Sequence, residues 1–216
     1  MRARAHSPHR LEALTDGVFA IAMTILVLEL RVPEGGSAQE TIHQMREQWP
    51  IFAAYVVSFI LLGVYWYGQR SQYDFIRRVD RELTWLNVFF LLGASTIPFA
   101  ASVLGEHAVL PNAVHFYGLV LVYCSSLHAW IWWYATNSKR GLVDPQETTP
   151  EVIAVGKRLA IVPVLFYALA MGISYIDPRL SLLLFAFVPF LYVFDVVRHL
   201  RLPGGIKTES GEDLPE

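Results

Sequence analysis

Six apolar segments, each about 18 to 24 residues long, alternate with connections that are by turns rich and poor in basic residues. They cover approximately residues 11–30, 49–68, 83–104, 113–136, 159–176 and 180–197. A helix needs about 20 apolar residues to cross the hydrocarbon core of a bilayer, so each is long enough to span it. Of the 17 lysines and arginines, only Arg31, Arg46 and Arg179 fall on one side of this alternation. The basic side of a membrane protein is cytoplasmic, which puts both termini there. One missed helix would scramble the alternation. The expected fold is therefore an all-α polytopic membrane protein, with residues 1–202 forming one six-helix transmembrane domain. Residues 203–216 are expected to be a disordered cytoplasmic tail.

Composition agrees. Hydrophobic residues make up 54% of the chain and charged residues 17%, on opposite sides of the globular norm. Trp66, Trp85, Trp130, Trp132 and Trp133 gather near the cytoplasmic segment ends and Trp49 near the other surface, as an aromatic belt would. The basic residues are scattered between hydrophobic segments rather than gathered on a soluble face, which speaks against nucleic acid as a partner. A single cysteine, Cys124, excludes an internal disulfide and a cysteine-built metal centre. His115 and His128 are 13 residues apart on one segment, too far along a helix to share a metal. Ser125 and Ser126 lack the context of a serine hydrolase. Neither a covalent chemistry nor a cofactor is expected.

The first segment is unlike the others. Its uninterrupted apolar run, Gly17 to Leu28, is only 12 residues, and Asp16 and Glu29 flank it. A signal peptide with cleavage after Gly36-Ser37-Ala38 is the weaker reading, because these acids interrupt the core and five more spans follow. Ionisable groups in a span face protein or water and mark function. At about 100° per residue, Gly17, Ile21, Thr24 and Leu28 share a stripe roughly 60° wide, with Ile25 beside it. Periodicity alone favours ordinary packing. Alternatively, copies of this helix surround an axis, with Ile21 and Leu28 as apolar constrictions and Thr24 hydroxyls touching passing ions. Asp16 points sideways and needs a partner: Arg10, Thr15, Trp85 and Asn87 lie at a similar depth. Glu29 either forms an acidic ring or pairs with Arg31 or Arg46.

Arg10-x-x-x-Leu14-Thr15-Asp16, followed by Gly-Val-Phe-Ala-Ile-Ala-Met-Thr-Ile-Leu-Val-Leu-Glu-Leu, resembles the first-helix signature of the endosomal/lysosomal potassium channel family. It is most similar to bacterial members with one six-helix repeat per chain. The family pattern is Arg-x-x-x-Phe-Ser-Asp, so Leu14 and Thr15 depart conservatively. Tyr65-Trp66, Ile76 to Arg81, Trp85-Leu86-Asn87 and Pro98-Phe99 extend the resemblance, which is dense from about residue 10 to 107.

The resemblance implies a homotetramer in the plasma membrane whose four first helices line a central pore for potassium, with other monovalent cations or protons as further permeants. It puts the apolar constriction at Ile21, the selectivity threonine at Thr24 and a further ring at Leu28, without the Thr-Val-Gly-Tyr-Gly filter of other potassium channels. Relatives often carry a His-His pair after Tyr-Trp, where this chain has Gln69 and Arg70. Gln69 retains hydrogen-bonding capacity and Arg70 can pair with Asp16, but the family network does not carry over intact. Two other classes compete with a channel. A secondary transporter needs a midplane ionisable site or broken helices, for which only Pro98, Pro163 and Pro189 stand as candidates. A non-conducting scaffold gains from the missing histidines.

Overall fold

The computed structural model describes residues 7–32, 36–108 and 110–193. The expected tail at 203–216 and the end of the sixth segment at 194–197 lie outside them. Among the described residues seven α-helices form, in chain order α1 (His9–Ile25), α2 (Ala38–Glu47), α3 (Trp49–Tyr73), α4 (Arg81–Glu106), α5 (Pro111–Ala135), α6 (Pro150–Ile173) and α7 (Pro178–Val193). A 3-10 turn, Leu26–Glu29, extends α1. The α1 unit, α3, α4, α5 and α6 are long and apolar enough to cross a membrane, and α7 contributes a shorter apolar helix. The protein is an all-α polytopic membrane protein. Helix α2 was not expected from hydropathy.

Helix starts follow local chemistry. Proline opens α3, α5 and α6 within the first two positions, where its missing N–H costs nothing. Asp80 accepts from the Leu83 amide at 2.8 Å to cap α4, and Thr149 caps α6 through the Val152 amide. Pro98, Pro163 and Pro189 sit inside α4, α6 and α7, each of which runs on through its proline. None of the three supplies the broken helix that the transporter reading requires.

Helices α4 and α5 form the centre of the bundle. About 56% of the apolar window of each is buried, against 28% for α1, 22% for α3 and 11% for α6, so the latter three present wide faces outward. Packing between membrane helices depends on close approach and hydrogen bonds, because lipid is as apolar as leucine. Gly93 of α4 lets α5 come near: a Cβ there would stand 2.7 Å from Cys124 Sγ. At Gly105 the obstacle would be backbone, with Ile51 Cα 2.8 Å away. Buried hydroxyls pair across helices, Ser58 with Tyr117 at 2.8 Å and Tyr65 with Ser125 at 2.7 Å.

Two connections at one end of the bundle clasp each other. The amides of Arg77 and Arg78 both donate to the Leu142 carbonyl, and Ile76 forms an antiparallel bridge with Val143. Arg77 pairs with Glu147, and Arg140 pairs with Glu82 at 2.8 Å while stacking on Tyr134. The α3–α4 and α5–α6 hairpins are thus tied to one another.

Candidate pore helix and its anchoring network

Helix α1 has two unlike faces. Leu11, Thr15, Phe19, Ala22 and Leu26, spaced by three or four residues, are buried against α3 and α4. Phe19 is almost completely buried, its ring 5.9 Å from that of Phe90. On the other face Ile21 is 60% exposed, Ile25 42% and Leu28 75%, and Gly17 and Thr24 are exposed between them. A Cβ at Gly17 would meet nothing within 4 Å. All the residues of the stripe lie on a face the subunit leaves uncovered.

The stripe is not a straight α-helical one. From Leu26 the chain tightens to 3-10 geometry, which adds roughly 20° of rotation per residue. Leu28 is therefore turned off the line of Gly17, Ile21 and Thr24, and Val27 joins it in exposure. Thr24 Oγ1 donates to the carbonyls of Ala20 and Ile21, both at 2.9 Å. Its proton is committed to its own helix, which leaves the oxygen lone pairs as the outward polar feature.

A buried hydrogen-bond chain fixes the rotation of α1. Thr15 Oγ1 donates to the Leu11 carbonyl at 2.9 Å and accepts from Asn87 Nδ2 at 3.0 Å. Asn87 Oδ1 in turn accepts from Gln69 Nε2. Thr15, Asn87 and Gln69 are 4%, 0% and 1% exposed, so three helices are joined by polar groups cut off from water. Such groups are expensive to leave unpaired in a low-dielectric interior. Gln69 provides this link at a position where the resemblance led us to expect histidine.

Asp16 is held differently from expectation. Its Oδ1 accepts from the indole Nε1 of Trp66 at 2.8 Å. Trp85, one of the anticipated donors, is 52% exposed and tilts against Phe89, on a different face of α4 from Asn87. Arg70 lies over the Trp66 ring, 5.8 Å from its centroid, and forms no ion pair with Asp16. Arg10 is exposed and makes no ion pair with Asp16 among the described residues. The sequence places Trp66 in the aromatic belt and in the Tyr-Trp motif, and neither pairs it with Asp16.

At the other end of α1, Glu29 pairs with neither Arg31 nor Arg46. Its Oε2 accepts from Ser102 Oγ of α4 at 2.6 Å, while Arg31 bonds Glu106 at 2.5 Å. His128 also gains a role that metal spacing could not suggest. It packs against the rings of Tyr65 and Phe90, and Gln72 Nε2 lies 3.0 Å from its Nε2. No group of three or more metal-ligating side chains occurs among the described residues.

Known proteins decide the lineage. The family model described as endosomal/lysosomal potassium channel TMEM175 matches residues 10–98, which include α1 after its first residue, all of α2 and α3, and most of α4. A potassium channel of Streptomyces collinus is 33% identical over 192 residues, 87% of this chain and 92% of that protein. The chain belongs to the TMEM175 family. A second TMEM175 relative, a potassium channel of Chamaesiphon minutus, is 29% identical over 177 residues, 80% of this chain and 86% of that one. The crystal structure of a lysosomal potassium-selective channel TMEM175 homolog from Chamaesiphon minutus superposes with a TM-score of 0.75 at 25% identity, covering 86% of this chain and 96% of that one. TMEM175 is an ion-channel family and not a family of enzymes, which removes catalysis from consideration.

Proposed function

We propose that this TMEM175 protein is a potassium-favouring cation channel of the plasma membrane, assembled from four copies around their α1 helices. The observation that carries this reading is the division of α1. One face is locked by Thr15, Phe19 and Leu26, and the opposite face presents Ile21, Thr24 and Leu28, which stay exposed among the described residues. Around a four-fold axis, Ile21 forms the narrowest apolar ring, and a permeating ion gives up part of its hydration there. Thr24 oxygens, one turn on, compensate part of that loss. The names of the Streptomyces and Chamaesiphon relatives support potassium as the permeant species. Neither a cofactor nor a bound metal takes part.

The test is gradient-driven flux in liposomes containing the purified chain, first with potassium and then with sodium, together with Ile21→Asn. Potassium flux above sodium flux, with a larger leak through Ile21→Asn because the polar side chain wets the ring, is the expected result. Flux indifferent to Ile21 moves the pore away from α1. A crosslinked mass that stops at a dimer overturns the assembly.

A further inference from the structure

Helix α2 is a structured amphipathic helix with no core of its own. Ser37 caps it by accepting from the Glu40 amide, in the Ser-x-x-Glu arrangement that starts helices. Not one of its ten residues is buried. At a helical spacing of three to four residues, Ile42 (53% exposed), Met45 (62%) and Trp49 (64%) form an apolar strip. The far side carries His43 and Glu47, which lie 3.5 Å apart and face solvent.

Ile42, Met45, Arg46 and Trp49 line one shallow groove with a volume of about 460 Å³. Arg46 is the single charge in that lining and forms no ion pair among the described residues. Its guanidinium therefore sits at the edge of an apolar surface with its donors uncommitted.

The position of the groove selects its occupant. Gln48 alone separates α2 from α3, and the backbone bonds Gln48 N to Gln44 O and Phe52 N to Gln48 O carry the chain from one helix into the next. Since α3 crosses the membrane, α2 lies at the surface where that crossing begins. Trp49 also starts a ladder of adjacent rings with Phe52, Tyr55 and Phe59, at centroid separations of 5.8, 6.2 and 6.1 Å. Phe52 and Phe59 are exposed on α3, so from Trp49 an aromatic strip continues along the outward face of that helix. An apolar face with tryptophan at the polar boundary is the pattern of helices that rest in the headgroup region.

We infer that the groove of Ile42, Met45 and Trp49 is a phospholipid site, with an acyl chain along the apolar strip and the headgroup phosphate on Arg46. Arginine offers planar paired donors that suit a phosphate. The contact fixes the depth of the α1–α3 connection in the bilayer. It stands independently of conduction.

The test uses the full chain in vesicles of phosphatidylethanolamine and phosphatidylglycerol, with or without bromine on the acyl chains. Single variants Met45→Cys and Glu47→Cys carry an environment-sensitive fluorophore, and the labelled parent, whose Cys124 is buried, serves as the blank. Both positions are exposed, so neither label disturbs a buried contact. Brominated lipid is expected to quench most of the emission at position 45 and little at position 47. Phospholipid retained by purified Arg46→Gln, read by native mass spectrometry, is expected to fall about fivefold, the loss of one arginine–headgroup attraction. Equal quenching at the two positions overturns the site, as does lipid retention unaffected by Arg46→Gln. Crosslinks between position 45 of different copies, without quenching there, would assign the groove to a second subunit instead.

Discussion

Asn87 donates to the hydroxyl of Thr15 across 3.0 Å, with both side chains buried, and so keys the first helix to the fourth. The same asparagine accepts from Gln69, and no other side chain holds both bonds. Asn87→Leu leaves the Gln69 amide and the Thr15 oxygen each without this partner, whereas Gln69→Leu strands only the Asn87 oxygen. We expect both to destabilise, by about 1–3 kcal/mol, with Asn87→Leu the worse. Gln69→His keeps a donor and is expected to lie near the parent. Thermal unfolding of the detergent-solubilised protein, followed by intrinsic fluorescence, ranks the three.

The Trp66 indole is the hydrogen-bond partner of Asp16, and Arg70 covers the same ring. Trp66→Phe preserves an aromatic surface for Arg70 but removes the N–H. The expected loss in stability is modest, about 1 kcal/mol, since the pair is exposed, and Trp85→Phe is expected to have less effect. Comparing melting temperatures of the two single variants checks the assignment. An equal or larger fall for Trp85→Phe would return Trp85 to the network.

Thr24→Val keeps the shape of the side chain and removes its oxygen. Because the hydroxyl bonds only its own helix backbone within the subunit, stability is expected to change little. Potassium-over-sodium preference, measured as the reversal potential under mixed ionic conditions, is expected to fall. An unchanged preference would place selectivity at another residue.

At Gly105 α4 comes close to the start of α3. A methyl group there meets the Ile51 main chain, which cannot swing aside as a side-chain tip can. Gly105→Ala is expected to cost about 1–3 kcal/mol through displaced backbone. Gly172→Ala, where a Cβ meets nothing within 4 Å, serves as its near-neutral control in the same melting experiment.

Local periodicity and long-range pairing were unequally legible. Spacing alone puts Gly17, Ile21 and Thr24 on one side of a helix, because rotation per residue is a property of the backbone. The turn of Leu28 away from that line depends on the change to 3-10 geometry, which apolar composition does not announce. Glu29 finds Ser102 from 73 residues away, and Asp16 finds Trp66 from 50, distances over which a single sequence carries no pairing signal. Helix α2 escaped notice for another reason. Its apolar residues are three in ten, Ala38, Ile42 and Met45, too dilute to read as a span, although Ser37 and Glu40 already spelled a helix start. Likewise, the family motif named Gln69 as a departure, but only the packed bundle shows that its amide spans the gap to Asn87.

The first helix is fastened to the fourth at both ends, by Thr15 to Asn87 at one and by Glu29 to Ser102 with Arg31 to Glu106 at the other. A rod pinned at two points cannot spin about its long axis, nor slide along it, without releasing a pin. On the proposed four-fold assembly, a change of aperture at Ile21 therefore carries α4 along, and with it the α3–α4 hairpin and the α5–α6 hairpin clasped to it. Gating on that reading is a matter of levers rather than of a swivelling side chain.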